Sequence, residues 1–163
     1  MRRVLLLLPC NKCVRLGDYA LCDSWRRVLA SVGDLVSAGL LELAAIDSCK
    51  PGVVVYGEEL SYSWCDIEPY WGRTYGGDGS RFEILVDAIA RDLRELSLEY
   101  RAIVAYLNVK AYKLAVLEAS RRTGVTVFDL SPPRMSPLSF RSRRSLERLR
   151  ASLLELVSLH SDA

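Results

Sequence analysis

The side chains of this sequence that can do chemistry are few, and most fall in three stretches. Cys10-Asn-Lys-Cys13 is a CxxC directly after an apolar run, and Cys22, Cys49 and Cys65 are the remaining thiols. A tetrahedral zinc site takes four ligands, and only those three cysteines and His160 are there to complete one. No second CxxC accompanies the first, which argues against a zinc ribbon. A redox pair belongs at a helix start, where the dipole lowers the thiol pKa. Asn11, Lys12 and Gly17 predict a loop here instead. The plainer role for Cys10 is that of a buried structural thiol. His160 is the sole histidine and stands three residues from the C-terminus. Fraying termini hold catalytic geometry poorly, so histidine-based nucleophilic catalysis is not expected.

Asp66, Glu68 and Asp129 are candidate general bases if they share a cleft with Cys10. Tyr62, Trp64, Tyr70 and Trp71 can stack on a nucleobase, as aromatics do in single-stranded RNA recognition. Packing over a sheet edge explains the same residues equally well. Neither GxGxxG nor GxxxxGK[ST] occurs, and Gly76-Gly-Asp-Gly79 reads as a turn rather than a phosphate cradle. The third stretch is basic. Between Arg134 and Arg150 stand six arginines against the single acid Glu147, so the rest of the chain is mildly acidic under a net charge of +2. Arginine suits planar, bidentate contact with phosphate, which makes Arg134, Arg141, Arg143 and Arg144 candidate RNA-binding residues. A solvated arginine face is the competing reading.

These residues need a framework, and the hydrophobic pattern supplies one. Residues 3–9 read as a strand covered on both faces, because the continuous apolar run after Arg3, Val4–Leu8, ends at Pro9. A helix is expected from Asp23 or Ser24, broken by Gly33 and Gly39 into a helix and a short second turn. Strands follow at 41–47 and 53–56. Residues 56–79 hold six of the fourteen aromatics, five glycines and one proline without any period, which predicts a long ordered functional loop. Ser80-Arg-Phe-Glu83 is a capping box opening a helix whose apolar face is Phe82, Leu85, Val86, Ile89, Leu93 and Leu96. A strand at 101–107, a helix at 108–122 stopped by Gly124, and a buried strand at 125–130 come next. The prolines of Ser131–Pro137 predict a rigid, non-helical connection. The last helix spans 142–159, with Leu146, Leu149, Leu153 and Leu156 facing the core.

Strands alternating with helices predict an α/β fold: three layers, with a mostly parallel central sheet. Ligands bind beyond the carboxyl ends of such strands, here Pro9-Cys10, Asp47-Ser48, Leu107-Asn108 and Asp129-Leu130-Ser131. The long aromatic loop and the Pro-rich connection both leave strand ends, so a single cleft is expected. With 163 residues and half of them hydrophobic, one domain spanning 1–163 is expected, and intrinsic disorder is excluded. The opening apolar run is too short for a membrane span or a secretory leader, which predicts a cytoplasmic protein without membrane partners. The odd cysteine count then argues against a secreted disulfide framework.

At the motif level the chain resembles the core domain of archaeosine synthase, an archaeal tRNA-modifying family. Leu8-Pro9-Cys10-Asn11 is similar to the start of that family's strand-to-loop motif, Pro-Cys-Ser-x-x-Lys-Pro-Tyr-x-x-Ser-x-Ser-His. After a shift of about three residues, Tyr19-Ala-Leu-Cys22-Asp-Ser24-Trp25 resembles its end. Pro51-Gly-Val-Val-Val-Tyr-Gly-Glu-Glu-Leu60, Asp66-Ile-Glu-Pro-Tyr-Trp71 and Ser136-Pro-Leu-Ser139 resemble later family segments in order. The resemblance implies a site at Cys10, Tyr19 and Ser24; the leading reading adds Asn11 to its floor and Tyr62, Trp64, Asp66, Tyr70 and Trp71 as one wall. It also implies tRNA as partner and attachment of lysine to a cyano-deazaguanine base in tRNA; no cofactor or metal is expected. The chain departs from the pattern where Gly17-Asp18 replaces Lys-Pro, Cys22 replaces a serine and Trp25 replaces His. Arg134-Met-Ser-Pro-Leu-Ser139 resembles, without its His, the loop before the last helix in the uracil-DNA glycosylase superfamily, whose fold is a three-layer α/β sandwich.

Three functions therefore stand after the sequence. The first is a stand-alone archaeosine synthase-like domain acting in tRNA modification. The second is a non-catalytic RNA-binding or scaffold subunit serving a partner enzyme of tRNA modification. The third is a cysteine-ligated metal protein.

Overall fold

A computed structural model describes residues 2–9, 23–47, 51–55 and 80–159. Ten elements follow in order: β1 (Val4–Pro9), α1 (Asp23–Ser37), β2 (Leu41–Asp47), β3 (Gly52–Val55), α2 (Ser80–Glu99), β4 (Ala102–Ala105), α3 (Lys110–Thr123), β5 (Val127–Asp129), α4 (Pro137–Phe140) and α5 (Arg143–Leu159). The strands form one sheet of order β3-β2-β1-β4-β5. β1 pairs in parallel with β2 and β4, β4 pairs in parallel with β5, and only β3 runs antiparallel.

β1 sits at the centre because its sequence leaves it nowhere else to go. All six residues are buried, and a side-chain period of two sends them alternately to opposite faces. Val4, Leu6 and Leu8 pack with Val28, Val32 and Leu35 of α1 and with Leu146, Leu149 and Leu153 of α5. Leu5 and Leu7 pack with Leu85, Ile89 and Leu93 of α2 and with Ala115 and Val116 of α3. Each leucine buried this way contributes roughly 1.5–3 kcal/mol. The expected three-layer α/β architecture with a mostly parallel sheet is therefore present.

Three local expectations are corrected. α1 runs unbroken through Gly33, and the chain turns only at Gly39, whose φ is +75°. Packing of Val28, Val32 and Leu35 outweighs the roughly 1 kcal/mol helix penalty of one glycine. β5 is an edge strand rather than a buried one, with Phe128 exposed. The Pro-rich connection ends in a helical turn, α4, that begins at Pro137. Proline is accepted at a first helical position because the missing N–H has no partner there. The direction of β3 is a further feature: it reverses because residues 48–51 are too few for a crossover back to the same end of the sheet. Its last residue, Val55, pairs with Ala44, so the chain leaves β3 heading away from the carboxyl edge.

α2 is fixed to β3 by a close approach. Gly52 has φ +137°, a backbone region closed to other residues. A side chain there would collide with the carboxylate of Asp92, whose Oδ2 accepts a 2.8 Å hydrogen bond from the Val53 amide. Gly52→Ala should therefore lower stability by roughly 1–3 kcal/mol. Gly33→Ala, with open space around its Cβ position, should raise it by about 0.5–1 kcal/mol. Urea unfolding midpoints of the two variants measure both effects, which should have opposite signs.

Candidate functional site

The parallel strands place two helix connections at one point. β1 is followed in the chain by α1 on one face, whereas its neighbour β4 is followed by α3 on the other. Connections that part to opposite faces open a crevice beyond the strand ends, where α/β sheets bind ligands. Pro9 ends β1 at this point, and Cys10 and Asn11 follow it in sequence. Cys10, Asn11, Tyr19, Tyr62, Trp64, Asp66, Tyr70 and Trp71 lie outside the described residues. The backbone of Ser24 falls in the first turn of α1, and its side chain is outside the described set.

The described part of the carboxyl edge is tightly stitched. The Tyr106 amide donates to the Leu7 carbonyl at 2.9 Å, and the Leu130 amide to the Ala105 carbonyl at 2.8 Å. Buried Ser131 accepts a hydrogen bond at its Oγ from the Leu107 amide at 2.9 Å. Its own amide donates to Asp129 Oδ1 at 3.0 Å, and Asp129 Oδ2 lies 3.3 Å from Lys113 Nζ. Asp129, a candidate base, is thus occupied by a lysine and a loop amide. Asp47 ends β2 on the same edge, and the carboxylate residue is only 1% exposed. An acid closing the apolar run Leu41–Asp47 was the available sequence signal for it.

Tyr106 joins this edge to the last two helices. Its ring lies 4.7 Å from that of Phe140, and its hydroxyl donates to the Phe140 carbonyl at 2.6 Å. Burial pushes its phenol up to about 12, against a hydrogen bond with Ser145 and the charge of Arg148. Serines cap both helical segments here. Ser136 Oγ accepts from the Ser139 amide at 3.1 Å before α4, and Ser142 Oγ from the Ser145 amide at 3.2 Å before α5.

The basic segment does not act as one patch. Arg141 and Arg143 line a groove of about 320 Å³ between α1 and the start of α5, with Ala30, Leu146 and Ser31. Arg134 and Arg144 are exposed but do not line it. A third arginine does: Arg27 of α1 reaches the same groove. The basic run at 134–150 gave no hint of it. A helical stripe of Arg27, Ala30, Ser31 and Asp34, free of large apolar residues, was the legible sign that this side of α1 is not core. Among the described residues, Glu147 is the acid that lines the groove, and its carboxylate accepts a 2.8 Å hydrogen bond from Arg143 Nε.

α1 and α5 are held at a fixed spacing beside this groove. Arg150 grips Asp34 with two 2.7 Å hydrogen bonds and donates a third, also 2.7 Å, to the Ser31 carbonyl. The Ser31 hydroxyl donates to the Leu146 carbonyl at 3.3 Å. The guanidinium of Arg150 holds the Asp34 carboxyl below the usual carboxylate range.

Among the described residues no group of His, Cys, Asp and Glu is arranged to hold a metal ion. All five cysteines and His160 lie outside those residues. No helix of the described residues is long and apolar enough to cross a membrane. No family model matches the chain, and no curated protein or solved structure matches it either.

The Tyr106 phenol sets a pH limit. Its folded pKa stands above the unfolded value near 10, so its contribution is complete below pH 10 and is lost as pH rises toward 12. A two-unit shift corresponds to roughly 2–3 kcal/mol. Tyr106→Phe should flatten the fall in stability between pH 10 and 12, measured by urea unfolding across that range. An unchanged slope would mean the phenol ionises without strain in the folded state.

Proposed function

We propose that this chain is a tRNA-modification domain, similar to the core of archaeosine synthase, that holds an RNA base at the carboxyl edge of its sheet. The observation that carries the reading is the position of β1. The motif that resembles the family's begins at Leu8-Pro9, and Pro9 ends β1 where the connections of β1 and β4 part to opposite faces. Residues that follow such a strand end are the ones a ligand meets.

Cys10, Asn11, Tyr19 and Ser24 then form the base site, with Tyr62, Trp64, Asp66, Tyr70 and Trp71 as its aromatic and acidic wall. Arg141 and Arg143 supply phosphate contacts, and Arg134 and Arg144 add positive potential around them. Attachment of lysine to a deazaguanine base is the reaction the resemblance implies. The finer fold assignment, to the uracil-DNA glycosylase-like sandwiches, is supported by the three layers and by Arg134-Met-Ser-Pro-Leu-Ser139 leading into α5.

A second reading has its own observation. Trp25 stands where the family has His, and Trp cannot accept and release a proton as His does. Gly17-Asp18 also removes the family's lysine. Both favour a non-catalytic subunit that brings RNA to a partner enzyme.

Titration of the purified protein with tRNA and with duplex DNA of similar length, at low and physiological salt, tests what the two readings share. Preference for tRNA that survives physiological salt is the expected result. Equal binding erased by salt would reduce the basic segment to a solvated surface. Lysine incorporation into tRNA then separates the readings. If the domain is catalytic, Cys10→Ser should lower incorporation while leaving the circular dichroism spectrum and urea midpoint unchanged.

A further inference from the structure

The groove between α1 and α5 has features that an incidental concentration of arginine lacks. It is built from two elements distant in sequence: Arg27 and Ser31 come from α1, Arg141 and Arg143 from the start of α5 and the turn before it. Among the described residues, three guanidinium groups, those of Arg27, Arg141 and Arg143, and the carboxylate of Glu147 line the groove. Its floor is apolar, formed by Ala30 and Leu146. Its width is set in advance, because Arg150 ties α5 to Asp34 and to the Ser31 carbonyl at 2.7 Å. A site already held in shape loses less entropy when a ligand enters.

We infer that this groove is where a single-stranded segment of RNA lays its backbone, with Arg27 as the contact contributed by α1. The inference rests on the tRNA reading above and adds a docking path and a residue to it. Arginine forks match the paired oxygens of a phosphodiester. The apolar floor accepts the ribose or base edge that a bare anion would leave uncovered. A volume of about 320 Å³ is enough for one nucleotide-sized unit.

Arg143 is available at little expense. Its bond to Glu147 joins side chains that are 92% and 64% exposed, and exchanging an exposed pair of this kind for a phosphate contact changes stability little.

The direction of the groove adds to the argument. Arg27 lies four residues into α1, about 6 Å along the helix axis from its start. The other wall begins after Phe140, which is bonded to Tyr106 at the end of β4. Both walls therefore start at the carboxyl edge of the sheet. RNA lying in the groove is led toward the crevice beyond Pro9.

Fluorescence anisotropy with a labelled tRNA and a labelled unstructured RNA oligomer tests this, using wild type, Arg27→Ala, Arg27→Lys and the control Arg121→Ala. Arg121 lies on α3, on the opposite layer, paired with Glu118. Arg27→Ala should weaken RNA binding about fivefold and reduce the salt slope by about one phosphate contact. Arg27→Lys should keep the slope, and Arg121→Ala should bind like wild type. Wild-type affinity and slope in Arg27→Ala, with tRNA binding intact, would overturn the groove while leaving the tRNA reading standing. Wild type that fails to bind either RNA would remove both. Polyglutamate bound equally well, and equally dependent on Arg27, would reassign the groove to an acidic protein and overturn the RNA inference.

Discussion

Complete burial of β1 is the constraint on which the other elements depend. Its side chains from Val4 to Leu8 are inaccessible to solvent, and both its edges are paired, with β2 and with β4. A strand enclosed in this way requires a helical layer on each face, so it calls for α1 and α5 on one side and α2 and α3 on the other. It also leaves only its ends for function. The amino end is tied to the start of β4, where the Arg101 amide donates to the Arg3 carbonyl at 3.0 Å. The carboxyl end, at Pro9, is where the chain turns from framework to the residues that resemble a family motif.

The same enclosure explains why the basic groove lies where it does. α1 and α5 share one face of β1 through Val28, Val32, Leu146 and Leu149. Two helices packed side by side on a sheet form a furrow on their outer surface. Here Arg27, Arg141 and Arg143 border the furrow, and the Arg150–Asp34 clamp ties its two helices together. Tyr106 then couples the furrow to the sheet, since its phenol holds the Phe140 carbonyl at the joint between α4 and α5. Core packing, helix spacing and the candidate binding surface thus share a few side chains.

Much of the framework was legible in the sequence because its signals are local. The run Val4–Pro9, the strand Leu41–Asp47 and the apolar stripe of α2 follow directly from side-chain period. Gly124, at φ +73°, ends α3 where the pattern placed the stop. What escaped depends on contacts between distant elements. Gly33 stays helical because the neighbouring turns of α1 are packed into the core, which its own propensity does not reveal. β5 is exposed because, among the described residues, no further strand pairs beyond it, a property of the sheet rather than of the strand. Arg27 joins Arg141 and Arg143 only after α1 and α5 are brought together, across more than a hundred residues of chain. The proposed base site rests on motif resemblance, from Leu8 to Trp25 and from Tyr62 to Trp71, and its side chains Cys10, Asn11, Tyr19, Ser24 and Tyr62 to Trp71 fall outside the described residues.

The central claim is that RNA meets the carboxyl edge of the sheet and the α1–α5 face. Photocrosslinking of thiouridine-substituted tRNA to the full chain, followed by peptide mass spectrometry, tests it most directly. The account predicts crosslinked peptides from residues 10–31 and 134–150. Crosslinks confined to the outer surfaces of α2 and α3, around Glu83, Arg121 and Arg122, would contradict it.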